Sequence, residues 1–238
     1  MTDLVAVEAP VALVFNGISH AVMMATPTDL EAFALGFALS EGLLERPSEC
    51  YGIDVAEGAM GCEVQLEVSA AAERRLKERR RNLAGRTGCG LCGIDSLQAL
   101  DLAPPPLDAP LQIELAAVHR AFEQLPALQL LNAQSGAHHA AGWSTLAGEL
   151  LVVMEDVGRH NALDKLLGSR VRAGAVLEDG FVIMSSRASS ELVLKCARLR
   201  VPLLATISAP TSMAIQIAKN SRLVLYGWCR GERAVRFA

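Results

Sequence analysis

Cys89 and Cys92 are the two closely spaced cysteines of the chain, set in Gly88-Cys89-Gly90-Leu91-Cys92-Gly93 just after a basic run that includes Arg79, Arg80, Arg81 and Arg86. A nearby positive charge favours the thiolate, the nucleophilic form of cysteine. The flanking glycines leave the backbone free to swing a thiol outward, so residues 84–95 are expected to form a mobile loop. Three chemistries use such a pair. A structural zinc site needs four ligands. Cys50 and Cys62 are too far apart to act as a second pair, and His119, His138 and His139 fall at no recognisable zinc spacing. A thiol–disulfide redox pair normally opens a helix after a strand, whereas this one is surrounded by glycine. Thiolate sulfur chemistry fits better, with one cysteine carrying sulfur and the other helping to release or protect it. A pure binding module, which needs no nucleophilic thiol, is the rival from another class.

A second set of candidates lies at three predicted strand-to-helix junctions. They are Glu155-Asp156-Val157-Gly158-Arg159-His160-Asn161, Ser185-Ser186-Arg187-Ala188-Ser189-Ser190-Glu191 and Ser208-Ala209-Pro210-Thr211-Ser212. In an open α/β sheet, ligands bind beyond the carboxyl ends of the strands. The last two junctions place hydroxyls and bare amides at helix N-termini, which suits an anion. Arg159 and Arg187 add donors that grip phosphate in bidentate fashion. Each serine or threonine taken alone is explained as an ordinary helix cap; the three junctions together, with two arginines and the histidines, point to a ligand crevice. No Walker A pattern is present, so a P-loop nucleotide fold is not indicated.

The elements that must position these groups follow from periodicity. Val11, Leu13 and Phe15 alternate, Asn16-Gly17 marks a tight hairpin turn, and residues 18–24 form the returning strand. Thr28-Asp29-Leu30-Glu31 reads as a capping box opening a helix that ends near Gly42. Val64, Leu66 and Val68 alternate with charged or polar neighbours as a half-exposed strand. Residues 103–110, rich in proline, read as a linker, and Leu115, Val118, Phe122 and Leu125 then give a helix. Strands at 150–154, 181–184, 203–207 and 223–226 alternate with helices at 161–167, 190–199 and 211–219. This rhythm predicts an α/β layer with a mostly parallel sheet. The predicted architecture is α/β, with a smaller N-terminal α/β domain (residues 1–100, ending in the cysteine loop) and a three-layer C-terminal domain (residues 111–238).

Bulk properties exclude several classes. Hydrophobic residues make up 51% of the 238 and charged residues 20%, enough to bury a sizeable core rather than remain disordered. The net charge of −4 argues against a nucleic-acid partner, which favours a basic face. Asp3 and Glu8, with no early lysine or arginine, argue against a secretory leader. Residues 201–218 carry no charge, but Pro202 and Pro210 interrupt them; they read as strand, turn and helix rather than a membrane span. The expected setting is therefore the cytoplasm, where the cysteines stay reduced, and Cys196 is expected in the core.

On these residues the chain resembles the FdhD/NarQ family, the sulfurtransferase accessory proteins of formate dehydrogenase. The resemblance runs through Phe15-Asn16-Gly17, Thr26-Pro27-Thr28-Asp29-Leu30-Glu31, Gly36-Phe37, Ser40-Glu41-Gly42 and Arg86-Thr87-Gly88-Cys89-Gly90-Leu91-Cys92-Gly93. It continues through Glu155-Asp156-Val157-Gly158-Arg159-His160-Asn161-Ala162-Leu163-Asp164-Lys165, residues 189–195 and Ser208-Ala209-Pro210-Thr211. It implies that a cysteine desulfurase passes persulfide sulfur to the loop and that the sulfur moves on to the molybdenum cofactor, in its bis-guanine-dinucleotide form, for formate dehydrogenase. The persulfide position maps onto Cys89 and its assistant onto Cys92. The family's C-terminal cofactor-binding segment maps onto Trp228, Cys229, Arg230, Gly231, Glu232 and Arg233, and its histidine onto His139. With these, Asp156, Arg159, His160, Ser185, Arg187, Ser189, Lys195 and Ser208 are expected to converge on the guanine nucleotide. The resemblance also implies a homodimer and a cytidine-deaminase-like C-terminal fold. The deaminase zinc signature is absent, so no metal carries over. Ala137 and Ser186 stand where the family has glycine.

Overall fold

A computed structural model describes residues 4–81 and 104–238. The N-terminal part is a four-stranded sheet in the order β2-β1-β4-β3, built from β1 (Ala9–Phe15), β2 (Ile18–Ala25), β3 (Cys50–Gly58) and β4 (Gly61–Val68). The expected hairpin forms: Asn16 (φ 46°) and Gly17 (φ 75°) both take the left-handed conformation that a primed two-residue turn requires. The Asn16 amide also pins the turn to β4, giving to the Val68 carbonyl at 3.0 Å and taking from its N–H at 2.8 Å. Helices α1 (Leu30–Ser40) and α2 (Ala70–Arg81) close the core over this sheet through Phe33, Ala34, Phe37, Ala72 and Leu76.

The capping box does not form. Asp29, the residue before α1, is left-handed at φ 53° and its side chain caps nothing. The reason is tertiary. The Thr28 hydroxyl accepts from Lys165 Nζ at 3.4 Å and the Thr26 carbonyl accepts from it at 2.9 Å. The segment is thus held by a helix more than a hundred residues away, and local capping yields to it.

The C-terminal part is a six-stranded sheet in the order β10-β9-β8-β7-β5-β6. Its strands are β5 (His139–Thr145), β6 (Leu150–Asp156), β7 (Gly180–Met184), β8 (Leu203–Thr206), β9 (Val224–Arg230) and β10 (Arg233–Arg236). Helices α5 (Arg159–Arg172), α6 (Ser190–Arg198) and α7 (Ser212–Ser221) pack on one face, through Leu163, Leu192 and Ile217. Helix α3 (Leu115–Leu128) covers the other face through Val118, Ala121 and Leu125, so the unit has three layers. The short α4 (Leu130–Ser135) leads into β5. The alternating burial of Val182 and Met184 on one face and Phe181 and Ile183 on the other explains why β7 reads as a continuous apolar run.

The sheet is mixed, which corrects the mostly parallel expectation. Only β7, β8 and β9 pair in parallel; β5 runs antiparallel to both β6 and β7, and β10 antiparallel to β9. Strand β5 escaped the sequence reading because its His-Ala-Ala-Gly start lacks the β-branched residues that mark strands. The uncharged stretch 201–218 resolves into β8 and α7, and no helix among the described residues is long and apolar enough to cross a membrane. Cys196 is fully buried, as expected.

The two units meet where α1 crosses α5 at glycine contact. A Cβ on Gly36 would stand 1.8 Å from the Asp164 carbonyl oxygen, and one on Gly168 would stand 1.9 Å from that of Ala32. Bare backbone on both helices is what allows this approach.

Candidate functional site

Strand direction decides where the candidates gather. Because β5 opposes both β6 and β7, those two point the same way, and β8 and β9 run with them. The carboxyl ends of β6, β7, β8 and β9 therefore open on one edge, together with the first residues of β5 and β10. All three junctions lie there, and so do His139, the Trp228 to Arg233 hairpin and the N-termini of α5, α6 and α7. The loops are tied to each other: Ala188 and Pro210 form a parallel bridge, and the Trp228 N–H donates to the Ser208 carbonyl at 3.2 Å.

The predicted residues divide into two groups at this edge. Several are structural supports. Asp156 is fully buried, with both oxygens engaged: Oδ1 accepts from Gly158 N and Asn161 Nδ2 at 2.8 and 2.9 Å, and Oδ2 accepts from Thr26 N at 3.0 Å and pairs with Lys165 Nζ at 2.8 Å. Ser185 Oγ accepts from the Ala140 N–H at 2.8 Å, and Ser189 Oγ caps α6 by accepting from Leu192 N. Lys195 is buried against Asp164 and Glu41, both at 2.8 Å. Burial pushes its ammonium down, but the charges of Asp164 and Glu41 outweigh this and leave it raised. The Cys229 thiol turns into the core, where burial pushes it up to about 12, so it holds no thiolate.

The others remain available. Arg159 keeps a buried Nε with no hydrogen-bond partner among the described residues. A buried unpaired donor is costly, and a ligand oxygen is a natural way to satisfy it. Arg187 is exposed and has no ion pair among the described residues. Trp228 holds a left-handed backbone at φ 57°, a conformation a non-glycine residue keeps only when its surroundings impose it. The guanidinium groups of Arg230 and Arg233 lie 5.9 and 5.6 Å from its ring centroid, within cation–π range. Gly231 (φ 55°) turns the hairpin, and its carbonyl contacts His119 Nδ1 at 2.7 Å. Glu232, in the same turn, is exposed, and Ser208 is part-buried.

Two imidazoles complete the edge. His139 is half-buried at the start of β5, opposite Asp156 in the strand register. Burial pushes it below the usual imidazole range, and the neighbouring Arg159 and His160 push further. His160, in the first turn of α5, contacts Glu191 Oε2 at 2.6 Å and Ser189 Oγ at 3.4 Å through Nε2. The hydrogen bond from His160 holds the Glu191 carboxyl low against its burial. His138 turns aside to Ser135 Oγ at 2.7 Å. Glu191 and Thr26 were not singled out from sequence. Glu191 reads there as an ordinary acidic residue in a first helical turn. Thr26, though inside a recognisable motif, shows its role only through contacts with β6 and α5. Cys89 and Cys92 lie outside the described residues.

The FdhD/NarQ family model matches residues 6–238. The sulfur carrier protein FdhD of Chromobacterium violaceum is 55% identical over 231 residues, covering 96% of this chain and 86% of that protein. That of Variovorax paradoxus is 53% identical over 233 residues, covering 98% and 84%. A crystal structure described as a formate dehydrogenase accessory protein from Desulfotalea psychrophila superposes with a TM-score of 0.76 at 27% identity, covering 100% of this chain and 89% of that one. The chain belongs to the FdhD/NarQ family.

Proposed function

We propose that this protein is a cytoplasmic sulfurtransferase of formate dehydrogenase maturation. Cys89 accepts persulfide sulfur from a cysteine desulfurase, Cys92 assists, and the sulfur passes to the molybdenum cofactor in its bis-guanine-dinucleotide form, destined for formate dehydrogenase. The loading step is a balanced exchange: the Cys89 thiolate attacks the outer sulfur of the desulfurase persulfide, a new S–S bond forms, and the desulfurase cysteine leaves as thiolate. The cofactor is substrate here, held by its nucleotide and phosphate parts. The observation that carries this reading is the sheet edge, where a buried Arg159 donor and the Arg187 guanidinium, neither partnered among the described residues, a Trp228 flanked by Arg230 and Arg233, and three helix N-termini face one way. An aromatic ring suits a base and the arginines suit phosphates. We further take the three-layer unit to be cytidine-deaminase-like and the protein to act as a homodimer, as the sequence resemblance implies.

Intact mass after incubation with a desulfurase and cysteine tests the reading. The wild-type protein gains about one sulfur atom, lost on reduction. Cys89→Ala gains none and still binds GDP, because the crevice is built from other segments. A chaperone that moves no sulfur would show no mass gain in either protein, and that result would sink the proposal.

A further inference from the structure

His119 falls at no zinc spacing and has no part in the proposed function, yet it touches the segment on which that function leans. Its Nδ1 lies 2.7 Å from the Gly231 carbonyl oxygen, at the tip of the β9–β10 hairpin. A carbonyl oxygen only accepts, so Nδ1 carries the hydrogen and donates. The two residues stand 112 positions apart and belong to different layers, helix α3 and the sheet.

Helix α3 is a firm base for this contact, because it is tied to the other hairpin, β5–β6. Arg120 donates to the Ala147 carbonyl from Nε at 2.9 Å and from Nη2 at 2.6 Å. Gln124 donates to the Gly148 carbonyl at 2.8 Å and accepts from the Leu150 N–H at 3.2 Å. Backbone meets backbone as well: a Cβ on Gly148 would stand 2.4 Å from the Ala117 carbonyl oxygen. With Val118, Ala121 and Leu125 in the core, the turn that carries His119 has little room to move.

The tip of the β9–β10 hairpin is built differently. Arg230, Gly231, Glu232 and Arg233 are all exposed. Trp228 and Gly231 are both left-handed, and the strand register shifts between Arg233 and Val235. A short, irregular ladder of this kind opens easily when nothing else holds it. From the crevice side, the loop after β8 holds it: the Ile207 carbonyl accepts from Arg230 Nε at 2.9 Å, and the Ser208 carbonyl from the Trp228 N–H at 3.2 Å. From the α3 side, the bond from His119 holds the turn itself.

We infer that His119 is a positioning residue of the crevice: by donating Nδ1–H to the Gly231 carbonyl it fixes the hairpin tip on α3, and so holds Arg230 and Arg233 beside the Trp228 ring before a ligand arrives. Groups fixed in their bound arrangement lose less freedom on binding, which is how a residue away from the ligand adds affinity. The inference rests on the nucleotide reading proposed above.

The test compares wild-type protein with His119→Ala and His119→Asn. His119 belongs to none of the hydrophobic core clusters, so both variants should fold. Asparagine places an amide N–H close to the position of Nδ1–H, and alanine places none. GDP affinity is measured by calorimetry. Acrylamide quenching of tryptophan emission is measured without ligand, with Trp228→Phe used to subtract the signal of the buried Trp143. His119→Ala should bind GDP roughly three- to tenfold more weakly, the loss expected for one unmade hydrogen bond, and its Trp228 should be quenched more steeply. His119→Asn should restore most of both. GDP affinity and quenching in His119→Ala that match wild type overturn the inference. So does an asparagine variant as weak as the alanine one, since the hydrogen bond would then not be what matters. Wild-type protein that binds no GDP overturns the nucleotide reading instead, and the quenching comparison, which needs no ligand, still decides whether His119 holds the hairpin.

Discussion

Arg187 and Arg159 stand at the same edge in opposite situations. Arg159 is partly enclosed, with one buried donor unpartnered among the described residues, whereas Arg187 is exposed. Arg187 can therefore be removed without disturbing the fold, and its loss reports ligand contact alone. Arg187→Ala should weaken GDP binding by about 1.5–3 kcal/mol, the range for a charge-assisted bond, with the melting temperature unchanged; calorimetry showing equal affinity would end the phosphate role proposed for it. The cysteines allow a second comparison at this scale. Burial pushes both the Cys196 and Cys229 thiols up, the latter to about 12, so neither supplies thiolate near neutrality. Mild alkylation of the native protein at pH 8 should spare both and modify Cys89 or Cys92 first. Peptide mapping that finds Cys229 labelled early would show that the β9–β10 hairpin opens.

Helices α1 and α5 form the tightest joint between the two units. They meet backbone to backbone at Gly36 and Gly168, and no side chain there can move aside to admit a Cβ. Gly36→Ala should therefore cost at least the ~1–3 kcal/mol typical of overpacking, seen as a lower urea midpoint. It should also loosen the neighbouring cluster, since Ser40 donates to Asp164 Oδ1 at 2.6 Å and accepts from Lys195 Nζ at 2.9 Å. An alanine variant as stable as wild type would mean that the helices re-register. A helix with this role does not stand out in sequence. Gly36 and Gly168 look there like weak points of helical runs, because a residue chosen for close approach leaves no hydrophobic signal.

Across the whole molecule, the link between the units runs through a buried ion pair. Lys165 and Asp156 are both fully buried, 2.8 Å apart, and the end of β2 is stitched to them through Thr26 and through Asn161 Nδ2, which donates to the Met24 carbonyl at 2.8 Å. Deleting one partner leaves an uncompensated charge in the interior. Lys165→Ala should thus cost about 3–5 kcal/mol, and the paired change Asp156→Leu with Lys165→Met should cost markedly less. Chemical denaturation of the three proteins checks this; a double variant as unstable as the single would show that the pair's hydrogen bonds to Thr26 matter more than its charge balance.

The hairpin at Asn16-Gly17, the strands β6 to β9, their helices and the three junctions were all legible in the sequence, because turn chemistry and hydrophobic period are local properties written in neighbouring residues. The cysteine pair suggested sulfur chemistry by residue type and spacing, and it lies outside the described residues. The parallel expectation failed because strand order is set by which faces bury each other, and β5, rich in alanine and glycine, inserts between β6 and β7 without a local signature. The capping box failed because Lys165 claims the residues that would have formed it. Only the tertiary structure could divide the candidates into supports, such as Asp156 and Lys195, and available groups, such as Arg159, Arg187 and Trp228. Whether a polar side chain is free to meet a ligand depends on partners distant in sequence: Thr26 claims Asp156, and Glu41 claims Lys195.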